Sequence, residues 1–146
     1  MRDWELAVKT AWSGRRIKVL RSGKHVSVRT EFRIQEGGWM LDHWEISVTK
    51  IAAGTFARSF VNVRTGNVEL DSEDLTSVPK GGGQMQRGAV HEFGHMLGLD
   101  DEYTPGSPNV ADQSATMNSG EQSRPRYYDE TLTTWLDRKL KSLGVE

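Results

Sequence analysis

Apolar and polar residues alternate along this chain with two different periods, and the switches between them divide it into elements. Near the start, Trp4, Leu6, Ala7, Ala11 and Trp12 recur at three- and four-residue spacings. That spacing predicts an amphipathic helix from Asp3 to Ser13, capped by Asp3 and closed by Gly14. Ile17-Lys18-Val19-Leu20 then leads through a turn at Ser22-Gly23-Lys24 into His25 to Ile34, where Val26, Val28, Thr30, Phe32 and Ile34 take every second place. This is the pattern of a half-buried hairpin. After Gly37-Gly38, the segment Trp39 to Thr49 alternates more weakly through Trp44, Ile46 and Val48. A further pair, Phe56 to Val63 and Val68 to Leu70, flanks the turn residues Arg64-Thr65-Gly66-Asn67. Four or five strands are expected from these runs.

Past the breaker cluster Pro79-Lys80-Gly81-Gly82-Gly83 the helical period returns. A helix is expected to begin near Gly83 or Gln84 and to run to Leu97, burying Val90, Phe93, Met96 and Leu97. Thr104 to Tyr128 is rich in Pro, Ser, Asn, Asp and Gly, and reads as a long loop with Met117 as its single apolar anchor. Leu132, Trp135, Leu136 and Leu140 then mark a last amphipathic helix from Asp129 to Ser142, capped by Asp129 and ended by Gly144. The expected fold class is α+β: a twisted mixed sheet of four or five strands packed on an N-terminal helix and the helix near 83–97, with a C-terminal helix after the long loop. At 146 residues, the whole span 1–146 is read as one domain.

Composition narrows the function classes. Lys plus Arg number 19 against 20 for Asp plus Glu, giving a net charge of −1, so neither a nucleic-acid footprint nor a polybasic membrane anchor is indicated. With no cysteine there is no disulfide framework, which fits a cytoplasmic protein and equally an effector unfolded for export by a route that needs no signal peptide. Met1-Arg2-Asp3-Trp4-Glu5 lacks an apolar signal core, and no run approaches the roughly 18 apolar residues of a membrane-spanning helix. No inhibitory pro-segment is expected, because the fold begins within the first few residues.

The chemistry is concentrated in His91-Glu92-Phe93-Gly94-His95-Met96-Leu97-Gly98-Leu99-Asp100-Asp101. Four residues of α-helix advance about 400°, so His91 and His95 share one face and can reach a single metal ion about 2.0–2.1 Å from each nitrogen. Glu92 lies about 100° further round, outside that pair but close enough to deprotonate a water beside the ion. Gly98 can take positive φ and end the helix, letting the chain turn back so that Asp101 falls where a third ligand would stand. Two nitrogens and one oxygen would leave a fourth position open, as a catalytic zinc site requires. Asp100, Glu102 and the later Asp112 remain alternatives for the third ligand. Sixteen residues after Asp101, Met117 sits in the short small-residue stretch Ser114-Ala115-Thr116-Met117-Asn118-Ser119-Gly120.

Taken together, the residues from Arg87 to Gly120 resemble the metzincin zinc metallopeptidases, with the Met117 stretch similar to their Met-turn, an apolar floor beneath the metal. Asp101 in place of the family's usual third histidine resembles the snapalysin-type variant. The family's tyrosine two places after the Met-turn methionine is Ser119 here, so a tyrosine steadying the transition state would have to be Tyr103, Tyr127 or Tyr128. Asp101-Glu102-Tyr103 followed by Arg124-Pro125-Arg126-Tyr127-Tyr128 also looks like metallopeptidase toxin domains of bacterial delivery systems. The resemblance implies one catalytic zinc ion on His91, His95 and Asp101, Glu92 as general base, and an endopeptidase. Its polypeptide substrate would lie extended along an edge strand, either the 56–63 or the 68–70 segment. The rivals are a zinc-stabilised protein-binding module and an enzyme for a non-peptide amide or ester. Elsewhere, His25 and His43 lack ligand spacing and read as surface or structural. Trp4, Trp12 and Trp135 read as core, and Gly81-Gly82-Gly83 as a turn. Arg124 and Arg126 read as a solvated loop or, for Arg126 in particular, as a rim that orients a substrate carbonyl or carboxylate.

Overall fold

The computed structural model describes residues 2–14, 16–18, 23, 25–27, 29, 44–128 and 133–144. The architecture is mixed α+β. In chain order, α1 (Arg2–Trp12) is followed by β1 (Arg16–Lys18), β2 (His25–Ser27), β3 (Glu45–Thr49), β4 (Phe60–Asn62), β5 (Asn67–Asp71), β6 (Val78–Pro79) and β7 (Met85–Gln86), then α2 (Gly88–Met96) and α3 (Thr133–Ser142).

The first helix is where the period placed it, and Gly14, at φ 81°, ends it. Asp3 lies inside the helix rather than at its cap. Its buried side is Ala7, Val8 and Trp12, whereas Leu6 is 66% exposed, because the helix is rotated to bring Trp12 inward. Trp12 is the hub. Its ring lies 5.8–6.3 Å from those of Phe93, Tyr127 and Tyr128, and its Nε1–H donates to the Val90 carbonyl at 3.0 Å. Buried indoles want such a partner, and this one ties α1 to α2. Ala7, Val8, Val90, Phe93, Ala115 and Met117 complete the core around it.

Among the described residues there is no single sheet of four or five strands. There is a three-stranded mixed sheet in the order β3-β5-β4, and two separate pairs, β1-β2 and β6-β7, both antiparallel. β4 and β5 form the expected hairpin around Gly66, at φ 76°. β3 runs parallel to β5, from Glu45 opposite Asn67 to Thr49 opposite Asp71. In the three-stranded sheet, only β5 buries its apolar side chains, Val68 and Leu70, while Ile46 and Val48 on β3 are about half exposed. Apart from Gly23, Arg29 and Trp44, which are described and lie in no strand, the remainder of the expected strands 17–34 and 39–49, together with His43, lies outside the described residues. α2 begins later than its periodicity suggests. Gly82 and Gly83 take φ of 65° and 72°, which an α-helix cannot accommodate, and Met85–Gln86 then pair with Val78–Pro79 as a strand.

The segment from Thr104 to Tyr128 is anchored far more heavily than by Met117 alone. Ala115, Thr116, Asn118, Ser123, Tyr127 and Tyr128 are buried too, and the single side-chain amide of Gln86 donates to the carbonyls of Thr116, Asn118 and Gly120 at 2.9–3.1 Å. α3 ends at Gly144 as expected, but Trp135 on it is 55% exposed and is not core. Its expected cap, Asp129, lies outside the described residues.

One glycine inside α2 has a packing role. A Cβ on Gly94 would stand 2.1 Å from the Met117 sulfur and 3.1 Å from Trp12 Cζ2. Gly94→Ala is therefore expected to destabilise the fold by about 1–3 kcal/mol through overpacking, despite alanine's better helix propensity. A thermal melt checks this; an unchanged or raised melting temperature would show that Met117 can move aside.

Candidate metal centre

α2 carries His91 and His95 one turn apart, their rings 4.9 Å between centroids. Each ring is fixed from behind. His91 Nδ1–H donates to the Thr116 carbonyl at 2.9 Å, and His95 Nδ1–H donates to the Leu99 carbonyl at 2.7 Å. A carbonyl can only accept, so in both neutral rings the proton is on Nδ1 and the lone pair is on Nε2. The Leu99 carbonyl is available because Gly98, at φ 84°, closes the helix: Leu99 N–H donates to the Gly94 carbonyl at 3.1 Å and Gly98 N–H to the His95 carbonyl at 2.9 Å. This pair of bonds turns the chain back under His95.

The turn brings Asp101 to the histidines. Its Oδ1 lies 3.0 Å from His91 Nε2 and 3.2 Å from His95 Nε2. Three lone-pair donors thus converge, an arrangement that repels itself unless protons or a cation stand between them. Tetrahedral zinc ligands at 2.0–2.1 Å are separated by about 3.3 Å, close to both distances. The donor set fits a zinc ion, and the outer partners hold the rings in the tautomer that ligation requires.

Glu92 is half-buried, and one of its carboxylate oxygens and one ring nitrogen each of His91 and His95 lie within 4.8 Å of one another, so these three side chains also form a group that could hold a metal ion. Glu92 Oε2 is buried without a hydrogen-bond partner. Burial pushes the Glu92 carboxyl up, against the pull of both histidines. Burial pulls His91 down, but Asp101 and the Thr116 carbonyl outweigh it and leave the imidazole raised. For Asp101, the bonds from His91 and Tyr103 overcome burial and hold the carboxyl below its ordinary value.

Tyr103 is the one expected tyrosine that reaches this cluster. Its hydroxyl donates to Asp101 Oδ2 at 2.8 Å, its ring stacks on His91 at 6.1 Å, and burial and Asp101 push the phenol up to about 12. Tyr127 and Tyr128 are buried elsewhere. Tyr127 accepts from the Met117 N–H and donates to Glu102 Oε2, while Tyr128 bonds to Ser123 and to the Trp12 carbonyl. Arg126 forms two bonds to Glu102 and one to Asp112, and Arg124 a further two to Asp112. Both arginines therefore stitch the loop to itself. Of the alternatives for third ligand, Glu102 and Asp112 are held by these arginines, and Asp100 is exposed.

Met117, fully buried, lies against Gly94 on the helix between the two histidines. Sequence spacing did not reveal the carbonyls of Thr116 and Leu99, because a backbone acceptor leaves no mark in residue type, nor the role of Gln86, whose side-chain amide donates to backbone carbonyls 30 to 34 residues away. Gly94 did leave one, since glycine inside a helix costs about 1 kcal/mol against alanine and signals close packing. Comparisons with protein-family models, curated proteins and solved structures gave no match. No helix among the described residues is long and apolar enough to cross a membrane.

Proposed function

We propose that this chain is a zinc-dependent endopeptidase of the metzincin type, with His91, His95 and Asp101 as zinc ligands and Glu92 as general base. The observation that carries the reading is the convergence of Asp101 Oδ1 on both Nε2 atoms while both Nδ1 protons are engaged by carbonyls. Zinc bound there would polarise the scissile carbonyl and bring the pKa of water toward about 7. Glu92 accepts a proton from the attacking water as its oxygen bonds to the carbonyl carbon, then passes it to the nitrogen as the C–N bond breaks. Tyr103, by donating to Asp101 Oδ2, holds the carboxylate with Oδ1 toward the ion. Met117 is the Met-turn floor. β4 is the strand for an extended substrate, because it is the outer strand that neighbours α2; β5, the other expected edge, is the centre of its sheet.

The test is elemental analysis. The purified chain is expected to hold about one zinc ion. Asp101→Ala should weaken zinc by at least the roughly 10–100-fold that loss of an outer-shell partner costs. A zinc-free parent, or full occupancy at limiting zinc in the variant, would overturn the ligand set.

A further inference from the structure

Tyr103 is held in an inverted pose. Its hydroxyl donates to Asp101 Oδ2 at 2.8 Å, and its ring stacks on His91 with the centroids 6.1 Å and the planes 27° apart. The residue is nevertheless 50% exposed. A tyrosine at a surface ordinarily does the reverse, laying its ring on the protein and leaving the hydroxyl in water. Here the protein engages the polar end and one ring face, so the other face is what solvent reaches.

The chain fixes this pose from both sides. Before the tyrosine, Glu102 N–H donates to the Met117 carbonyl at 2.7 Å and the Glu102 carboxylate is held by Arg126 and Tyr127. After it, Thr104 Oγ1 donates to the Asp101 carbonyl at 3.1 Å. A ring immobilised in advance binds a ligand without a further loss of side-chain freedom. Tyr103 also touches two of the three proposed zinc ligands, His91 and Asp101. A side chain resting on its free face would therefore belong to a substrate residue beside the cleaved bond.

A flat aromatic face selects by shape and by its quadrupole, and a second ring meets it best in an offset or edge-to-face arrangement. A cation is drawn to the same face. A zinc ion on His91 and Asp101 would oppose a second positive charge there, which leaves the aromatic partner favoured.

We propose that Tyr103 determines substrate choice by packing its free face on an aromatic side chain, so that peptides with Phe, Tyr or Trp beside the cleaved bond are preferred. The inference rests on the peptidase reading above.

The experiment starts from one peptide that the protein cleaves, with Phe, Leu or Lys placed in turn at each of the two residues on either side of the cleaved bond. Leucine is the comparator because it is also large and apolar, so the ratio of kcat/KM between Phe and Leu peptides isolates the ring. At one position or more this ratio should be about five to ten in the parent. Tyr103→Phe keeps the ring and should keep the ratio, even where loss of the bond to Asp101 lowers zinc content and overall activity. Tyr103→Leu should bring the ratio close to one. Reading a ratio within each protein separates choice of substrate from any loss of metal or stability. Equal cleavage of Phe and Leu peptides by the parent, a ratio that survives Tyr103→Leu, or one that Tyr103→Phe already abolishes overturns the inference and leaves the peptidase reading intact. A preference for the Lys peptide overturns it as well, in favour of a cation on the ring. A parent that cleaves no peptide removes the peptidase reading and the inference together.

Discussion

Glu92→Gln is expected to leave zinc content and melting temperature near those of the parent while lowering peptide turnover by about 10²–10⁴. Glutamine keeps the shape of the side chain and most of its contacts, but its amide cannot take a proton from water. The structural cost should be small because Glu92 Oε2 has no hydrogen-bond partner to lose. Burial, which pushes the carboxyl up, also suits it to the task, since a base works best with its pKa close to the working pH. Steady-state kinetics on a cleaved peptide, with elemental analysis of the same samples, gives the answer. Equal activity in the two proteins removes Glu92 as the base. Zinc in both, with no hydrolysis of any peptide by the parent, favours the binding module, which has no need of a carboxylate at this position.

The parts of this site that were legible in the sequence are those set by local geometry. His91 and His95 share a face because four residues make slightly more than one helical turn, and Asp101 returns to them because Gly98 alone can take the positive φ that ends the helix. The β4-β5 hairpin was legible for the same reason, its turn being encoded in Arg64-Thr65-Gly66-Asn67. Contacts between residues far apart in the chain were not. Arg126 reaches Glu102 across 24 positions and Gln86 reaches Thr116 across 30, and neither spacing carries a period. Without those contacts in view, Arg124 and Arg126 look like a free rim and Tyr127 and Tyr128 like groups available to substrate. The parallel pairing of β3 with β5 is another long-range choice, and β3's alternation did not announce that Ile46 and Val48 would remain half exposed.

These long-range contacts also explain how Asp101, the proposed third ligand, is held on a segment with no regular structure. Glu102, next to Asp101, donates its N–H to the Met117 carbonyl at 2.7 Å, and its carboxylate is gripped by Arg126 and Tyr127. Tyr127 in turn accepts the Met117 N–H. Asp101 is thus held by its neighbour's anchoring to Met117, and the Met117 segment is held to α2 through the Thr116 carbonyl on His91. At the proposed metal centre, precision of the ligands would come from this second layer of bonds.

Met117 is where these supports meet, so a charged replacement there is expected to be among the most damaging in the chain. Met117→Leu conserves volume and should cost under about 1.5 kcal/mol, with zinc still bound. Met117→Asp puts an unpaired carboxylate in a fully buried apolar position against Gly94, in the same core cluster as Trp12, and an uncompensated buried charge costs about 3–5 kcal/mol. Part of that cost would appear as displacement of the 115–118 segment, which carries the carbonyl that holds His91 and the one that holds Glu102. Zinc occupancy should therefore fall together with the melting temperature, and restoring the temperature with a stabilising substitution elsewhere should not restore the zinc. Calorimetry and elemental analysis of the two variants separate the outcomes. If Met117→Asp matches the parent on both measures, the methionine is not the floor of the metal centre, and the likeness of Ser114–Gly120 to a Met-turn loses its physical content.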